Sequence, residues 1–182
     1  MSNEWGRMVG VFGRENLWRL SPQPAAGLQI PQRSREFLAG VGLPTTGVLL
    51  LSFDLAGDAL PTLAEYGQQR GRWVDGGQTK RRLGSDYRLE ICLDESRGGC
   101  VVAVDLEGKI PEQFVNSSVE AFAEFLALYE GDYGGLQHAS DRKCEATAGE
   151  IEQKMRAIDP AALSDPHNWW AGVLEQMKDG LL

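Results

Sequence analysis

The stretch that most constrains this chain is Tyr87-Arg-Leu-Glu-Ile-Cys-Leu-Asp94. Tyr87, Leu89, Ile91 and Leu93 alternate with Arg88, Glu90, Cys92 and Asp94, and a period of two puts the first set on one face of a β-strand and the second on the other. A strand with one apolar face needs a partner strand and a covering layer. Both are legible nearby. Glu95-Ser-Arg-Gly-Gly99 has the composition of a hairpin turn, and residues 100–106 read as a second strand. Glu107-Gly-Lys109 makes a further turn towards Ile110 and the short run Phe114 and Val115, so the region reads as an antiparallel meander.

Helices supply the cover. Ser117-Ser-Val-Glu120 matches a capping box, in which serine and glutamate satisfy free backbone N–H groups reciprocally. Val119, Phe122, Ala123 and Leu126 follow at helical spacing, with Phe125 widening the stripe. A second helix is expected over residues 144–158, with Ile151, Met155 and Ile158 in line. Asp159-Pro160 and Asp165-Pro166 each pair an N-cap carboxylate with a proline suited to a first helical position. Trp169, Trp170, Val173, Leu174 and Met177 then form a strong apolar stripe.

Nearer the N-terminus, residues 8–12 and 17–20 are short apolar runs read as strands, ended by residues 21–27 with Pro22 and Pro24. Pro31 suits the first turn of a helix whose Phe37, Leu38 and Val41 share a face, stopped by Gly42 and Pro44. Residues 47–54 form a continuous apolar run, expected to be a strand buried on both faces. Residues 56–85 are rich in Gly, Gln and charge and hold Arg70, Arg72, Lys80, Arg81 and Arg82, with strands and loops hard to separate. The expectation is one α+β domain over residues 1–182, with a mixed or mainly antiparallel sheet flanked by helices. A chain of 182 residues buries enough apolar surface to fold without disulfides or metals.

The formal net charge is −8. Such a field repels nucleic acid and anionic membrane and draws basic proteins, which argues against a general nucleic-acid or membrane role. Cys92, Cys100 and Cys144 are odd in number and do not read as a disulfide framework. No basic segment followed by an apolar run opens the chain, and no apolar run approaches bilayer length, so a cytoplasmic location is expected.

Catalytic signatures are sparse. The two histidines, His138 and His167, sit in polar surroundings and read as surface residues, and no cysteine pair has metal-ligand spacing. No Gly-x-Ser-x-Gly elbow or P-loop is present. Cys144, beside Arg142 and Lys143, reads as a solvated thiol at a helix start. The Lys80-Arg-Arg82 run near Trp73 and Tyr87 reads as a solvated edge. No catalytic residue, metal or cofactor is expected. Glu90, Asp94, Glu95, Asp105 and Glu107, with Glu112, cluster around the hairpin. They are either ordinary solubility charge or a surface that steers a basic partner. Trp5, Trp18 and Trp73 lie in less regular stretches, where an exposed aromatic serves as an interface anchor and a buried one as core.

Four segments in order carry a family resemblance: Phe37-Leu-Ala-Gly-Val-Gly-Leu-Pro44 with the run from Val48 to Phe53; the hairpin Tyr87 to Asp94 and Gly99 to Asp105; Phe114-Val-Asn-Ser-Ser-Val-Glu-Ala-Phe-Ala-Glu-Phe-Leu126; and Ile158-Asp-Pro160 with Trp169-Trp170. Together they resemble the SUKH superfamily of bacterial toxin-immunity proteins, most closely its fourth family. The resemblance implies a compact α+β fold and a role as antidote to a cognate toxin, often a nuclease or deaminase and often basic. It brings no catalytic residues and fixes no contact positions by motif. Glu90, Asp94, Glu95, Asp105 and Glu107 are therefore expected as toxin-binding residues from charge alone. The alternative is an intracellular regulatory or scaffold protein of the same fold.

Overall fold

The structure, a computed structural model, describes residues 6–53, 55, 57–136 and 141–182. Its centre is the expected meander. Strands β3 (Leu51–Ser52), β4 (Lys80–Asp86), β5 (Leu89–Asp94), β6 (Cys100–Val104) and β7 (Gln113–Asn116) form one antiparallel sheet in sequence order. The β5–β6 register sets Ile91 against Ala103 and Leu93 against Val101, so one face is a continuous apolar surface. A small second sheet pairs β1 (Leu17–Trp18) with β2 (Leu43–Pro44).

Helix α5 (Val119–Asp132) lies on the apolar face, burying Val119, Phe122, Ala123, Phe125 and Leu126. Helices α6 (Asp141–Ile158) and α7 (Trp169–Lys178) extend this layer with Ile151, Met155, Trp170, Val173 and Met177, while Ile158 turns outward. The Trp170 ring meets Phe125 edge-on at 5.2 Å between centroids, an arrangement aromatic quadrupoles favour. Helix α3 (Gln32–Gly40) begins after Pro31 and buries Phe37 and Leu38, as its spacing predicts. The architecture is α+β, with helices packed on a mainly antiparallel sheet.

Several local expectations are corrected. Residues 8–12 belong to a helix, α1 (Gly6–Phe12), that packs on α5; only Leu17 and Trp18 of the next run are a strand. The proline-rich segment forms a short helix, α2 (Pro22–Gly27), with Pro22 in its first turn, where the missing N–H costs nothing. The apolar run over residues 47–54 is not a long strand. Val48 and Leu51 exchange backbone hydrogen bonds of 2.9 and 3.1 Å around a tight turn, Leu49 adopts φ 59°, and among the described residues of the run only Leu51 and Ser52 are strand. Likewise Tyr87 is not in the alternating strand but in the β4–β5 turn, at φ 23° and 95% exposed.

Capping chemistry also shifts. Helix α5 is capped by Ser118, whose Oγ accepts from the Ala121 N–H; Glu120 instead accepts from the Ser34 hydroxyl at 2.8 Å. Ser117 and Asp159 are occupied with each other: the Asp159 carboxylate accepts from the Ser117 N–H and hydroxyl and from the Asn116 amide. Asp159 makes no side-chain cap, and α7 starts after Asn168 rather than at Asp165. The one complete capping box in the described residues is Thr62 with Glu65, at the head of α4 (Leu63–Gln69).

Candidate functional site: the face of the sheet beneath α4

The strand face carrying Glu90, Cys92 and Asp94 was expected to be polar and open, but it is covered. Helix α4 and the segment behind it lie over it, and Leu63 and Val74 join Cys92, Cys100 and Val102 in a second apolar cluster. Reciprocal hydrogen bonds between Thr62 and Glu65, 2.8 and 3.1 Å long, fix the start of α4. After its last turn the chain doubles back, and the Arg72 N–H donates to the Gly67 carbonyl at 2.8 Å. A Cβ at Gly67 would stand 3.1 Å from the Arg72 oxygen and 3.0 Å from Val74, so the absence of a side chain permits the fold-back. That reversal turns Val74 inward and leaves Trp73 79% exposed, its indole N–H donating to Asp75.

Beneath Trp73 runs a groove of about 390 Å³, walled by Val74, Leu106 and Ile110 and rimmed by Asp75, Asp105, Glu107 and Glu112. Among the described residues no basic side chain lines it, although Glu107 and Glu112 are paired with basic side chains outside it. Across the Asp105–Glu107 ridge lies a second cleft of about 480 Å³, lined by Arg70, Arg72, Arg88, Glu90, Asp105, Leu106 and Glu107.

The five carboxylates expected at the interface divide into two groups. Three are internal. Asp94, 1% exposed, accepts from Ser96, from Arg97 at 2.9 Å and faces Lys80 at 3.4 Å. Burial works to raise its pKa, yet the hydrogen bonds from Ser96 and Arg97 and the Lys80 charge outweigh it and hold the carboxyl below its ordinary value. Glu90 pairs with Arg82 at 2.6 Å, and Glu95 accepts from Arg81 at 2.9 Å and from the Gln29 N–H at 2.8 Å. The other two stand at the ridge. Asp105 closes the β6–β7 loop by accepting from the N–H groups of Glu107, Lys109 and Ile110, and these hydrogen bonds lower its pKa. Glu107 pairs with Lys109 and with Arg72, at 3.0 Å for the latter, and its pKa is lowered by them in that order.

Nucleophilic groups lie elsewhere. Cys144 is buried in α6 at 5% exposure, not solvated as its basic neighbours suggested, because its face of the helix is part of the core. Cys92 and Cys100 are free and buried, and desolvation pushes both thiols up, away from the reactive thiolate. His167 is exposed in the turn before α7, and His138 lies outside the described residues. Among the described residues no three His, Cys, Asp or Glu side chains gather as a metal site would require, and no helix is long and apolar enough to cross a membrane. Arg70 and Arg88 were not singled out as site residues from sequence. The Tyr66/Arg70 spacing of four in a helix was the available signal, since it stacks the guanidinium on the ring at 3.7 Å.

The α+β fold thus presents an exposed tryptophan and paired charges on the α4 side of its sheet. A family model for SUKH-4 immunity proteins matches residues 6–176, and the chain belongs to that family. Comparison with curated proteins and with solved structures gives no match.

Proposed function

We propose that this immunity protein protects by binding a cognate toxin domain directly, and that it holds the toxin on the α4 side of its sheet. The observation that carries the placement is Trp73, a large aromatic left 79% exposed above an apolar groove rimmed by carboxylates. Exposed tryptophans seated in a polar rim are the commonest anchors of protein interfaces. The acidic rim and the net charge of −8 favour a basic toxin, of nuclease or deaminase type, and disfavour nucleic acid or an anionic membrane as partner. Asp105 and Glu107 are the proposed toxin contacts among the acidic residues of the hairpin; Glu90, Asp94 and Glu95 contribute by fixing the strands behind them. The protein acts by occupancy and not by turnover, in the cytoplasm where the toxin would otherwise act, and residues 1–182 work as one domain.

The test is capture from the source lysate at low and moderate salt, followed by co-expression of the recovered effector domain with this chain in a growth assay. Wild type is expected to restore growth and Trp73→Ala to fail while remaining folded. Recovery of no effector, or full protection by Trp73→Ala, refutes the assignment of this face.

A further inference from the structure

The cleft on the far side of the Asp105–Glu107 ridge holds guanidinium groups that make no side-chain hydrogen bond or salt bridge among the described residues. Its carboxylates all have partners: Glu90 holds Arg82, Asp105 holds three backbone N–H groups, and Glu107 holds Arg72 and Lys109. Two of its guanidinium groups have no salt-bridge partner among the described residues. Among the described residues neither the Arg70 nor the Arg88 side chain makes a hydrogen bond or ion pair, although both line the same cleft, where the Arg88 charge acts on Asp105 at longer range. Arg70 is nonetheless held in place. Its guanidinium carbon sits 3.7 Å from the centroid of the Tyr66 ring, and that ring also packs on Arg82, 4.0 Å away, which the 2.6 Å pair with Glu90 anchors to the sheet. Stacking engages the π face of a guanidinium and leaves its in-plane N–H donors free. Arg88 follows Tyr87, whose φ of 23° marks a strained turn, and the two are exposed at the tip of the β4–β5 hairpin.

The geometry points to this cleft as a receptor for a single carboxylate, supplied by an acidic side chain of the bound partner and bridged by Arg70 and Arg88. Planar, preorganised guanidinium forks are the groups best matched to a carboxylate. A carboxylate fits better than a phosphate because Glu90, Asp105 and Glu107 line the same cleft and repel a dianion more strongly than a monoanion. The partner's epitope is then bipolar: a cationic patch over the Trp73 groove and, one ridge away, an aspartate or glutamate. A ligand that is uniformly basic satisfies only half of the surface, which gives discrimination among basic proteins. This inference rests on the proposed toxin face and deepens it.

The test is a titration of the intact, ¹⁵N-labelled protein, following the arginine Nε–Hε resonances. The probes are acetyl-Gly-Glu-Gly-amide, acetyl-Gly-Gln-Gly-amide and inorganic phosphate. The glutamate peptide is expected to move Arg70 and Arg88 saturably and the glutamine peptide to move neither. Arg70→Gln and Arg88→Gln, both at exposed positions, are expected to weaken binding at least about fivefold each, as loss of a charge-assisted pair requires. Equal response to both peptides, no saturable response, or tighter binding of phosphate overturns the proposal, the last by assigning the cleft to phosphate. A chain that fails this titration yet protects cells through Trp73 loses the carboxylate cleft and keeps its proposed function.

Discussion

The Trp170 indole N–H donates to the Asn116 side-chain oxygen at 2.8 Å, and through it the last helix is tied to the last strand of the sheet. The Asn116 amide in turn donates to Asp159 at 3.1 Å, which also accepts from the Ser117 N–H and hydroxyl. One carboxylate thus satisfies polar groups at the junction of β7, α5 and the turn after α6, and it is 4% exposed.

Removing that carboxylate strands several donors. Asp159→Ala is expected to cost about 3 kcal/mol, the scale for buried donors left without a partner of a charged group. Asp159→Asn, which keeps an acceptor oxygen, is expected to lose less. Urea denaturation of the two variants and wild type gives the ranking, and equal stability of all three contradicts a structural role for the junction.

Asp94 and Glu124 predict pH effects of opposite sign. Asp94 is held below its ordinary value of 3.8, so its contribution is complete above that pH and is lost as the pH falls through the lower folded value. Asp94→Asn should therefore be less stable than wild type at pH 7, with the gap closing in acid. Glu124 on α5 is raised by burial, which the Arg7 charge offsets only in part, and its Oε1 is buried without a partner among the described residues. The folded state keeps that proton longer than the unfolded chain, so stability falls as pH rises above the ordinary 4.5. Glu124→Gln should be the more stable form at pH 7 and equal to wild type near pH 4. Thermal melts across that range measure both.

Gly42 sets the approach of β1 to β2. It adopts φ 86°, and a Cβ there would lie 1.8 Å from the Trp18 carbonyl oxygen. Gly42→Ala is expected to cost about 2 kcal/mol or more, combining left-handed strain with a backbone clash. Gly10→Ala, where a Cβ meets nothing within 4 Å, is the control and should be neutral or slightly stabilising.

Trp73→Ala separates folding from binding. With so much of the side chain in solvent, its stability should stay within about 0.5 kcal/mol of wild type. Affinity for the captured toxin should fall at least about 30-fold, the loss typical of an interface anchor. Calorimetry on the same samples reads both quantities.

The meander was legible because its information is local: period-two alternation, a glycine turn and a helix stripe each occupy a few consecutive residues. Trp169 to Met177 was legible for the same reason. The cover over Glu90, Cys92 and Asp94 was not, since α4 comes from residues 63–69, whose Gly- and Gln-rich composition gives little helical periodicity. The carboxylates of the hairpin could be counted in the sequence, but their neutralisation could not. It depends on the β4–β5 register, which sets Lys80 against Asp94 and brings Arg81 and Arg82 alongside Glu95 and Glu90. Residues 47–54 misled because an unbroken apolar run fits a buried strand and a buried turn equally well. Trp73 was visible as an aromatic in an irregular stretch, but its exposure followed only from the fold-back at Gly67.

All three cysteines of the chain are buried and unpaired. Thiol-directed reagents react with accessible thiolate, so the native protein offers them a silent background. A cysteine introduced at an exposed position beside the groove or the cleft would then be the sole labelling point. A dye placed there would report occupancy of the groove or of the cleft separately, without any native cysteine having first been removed.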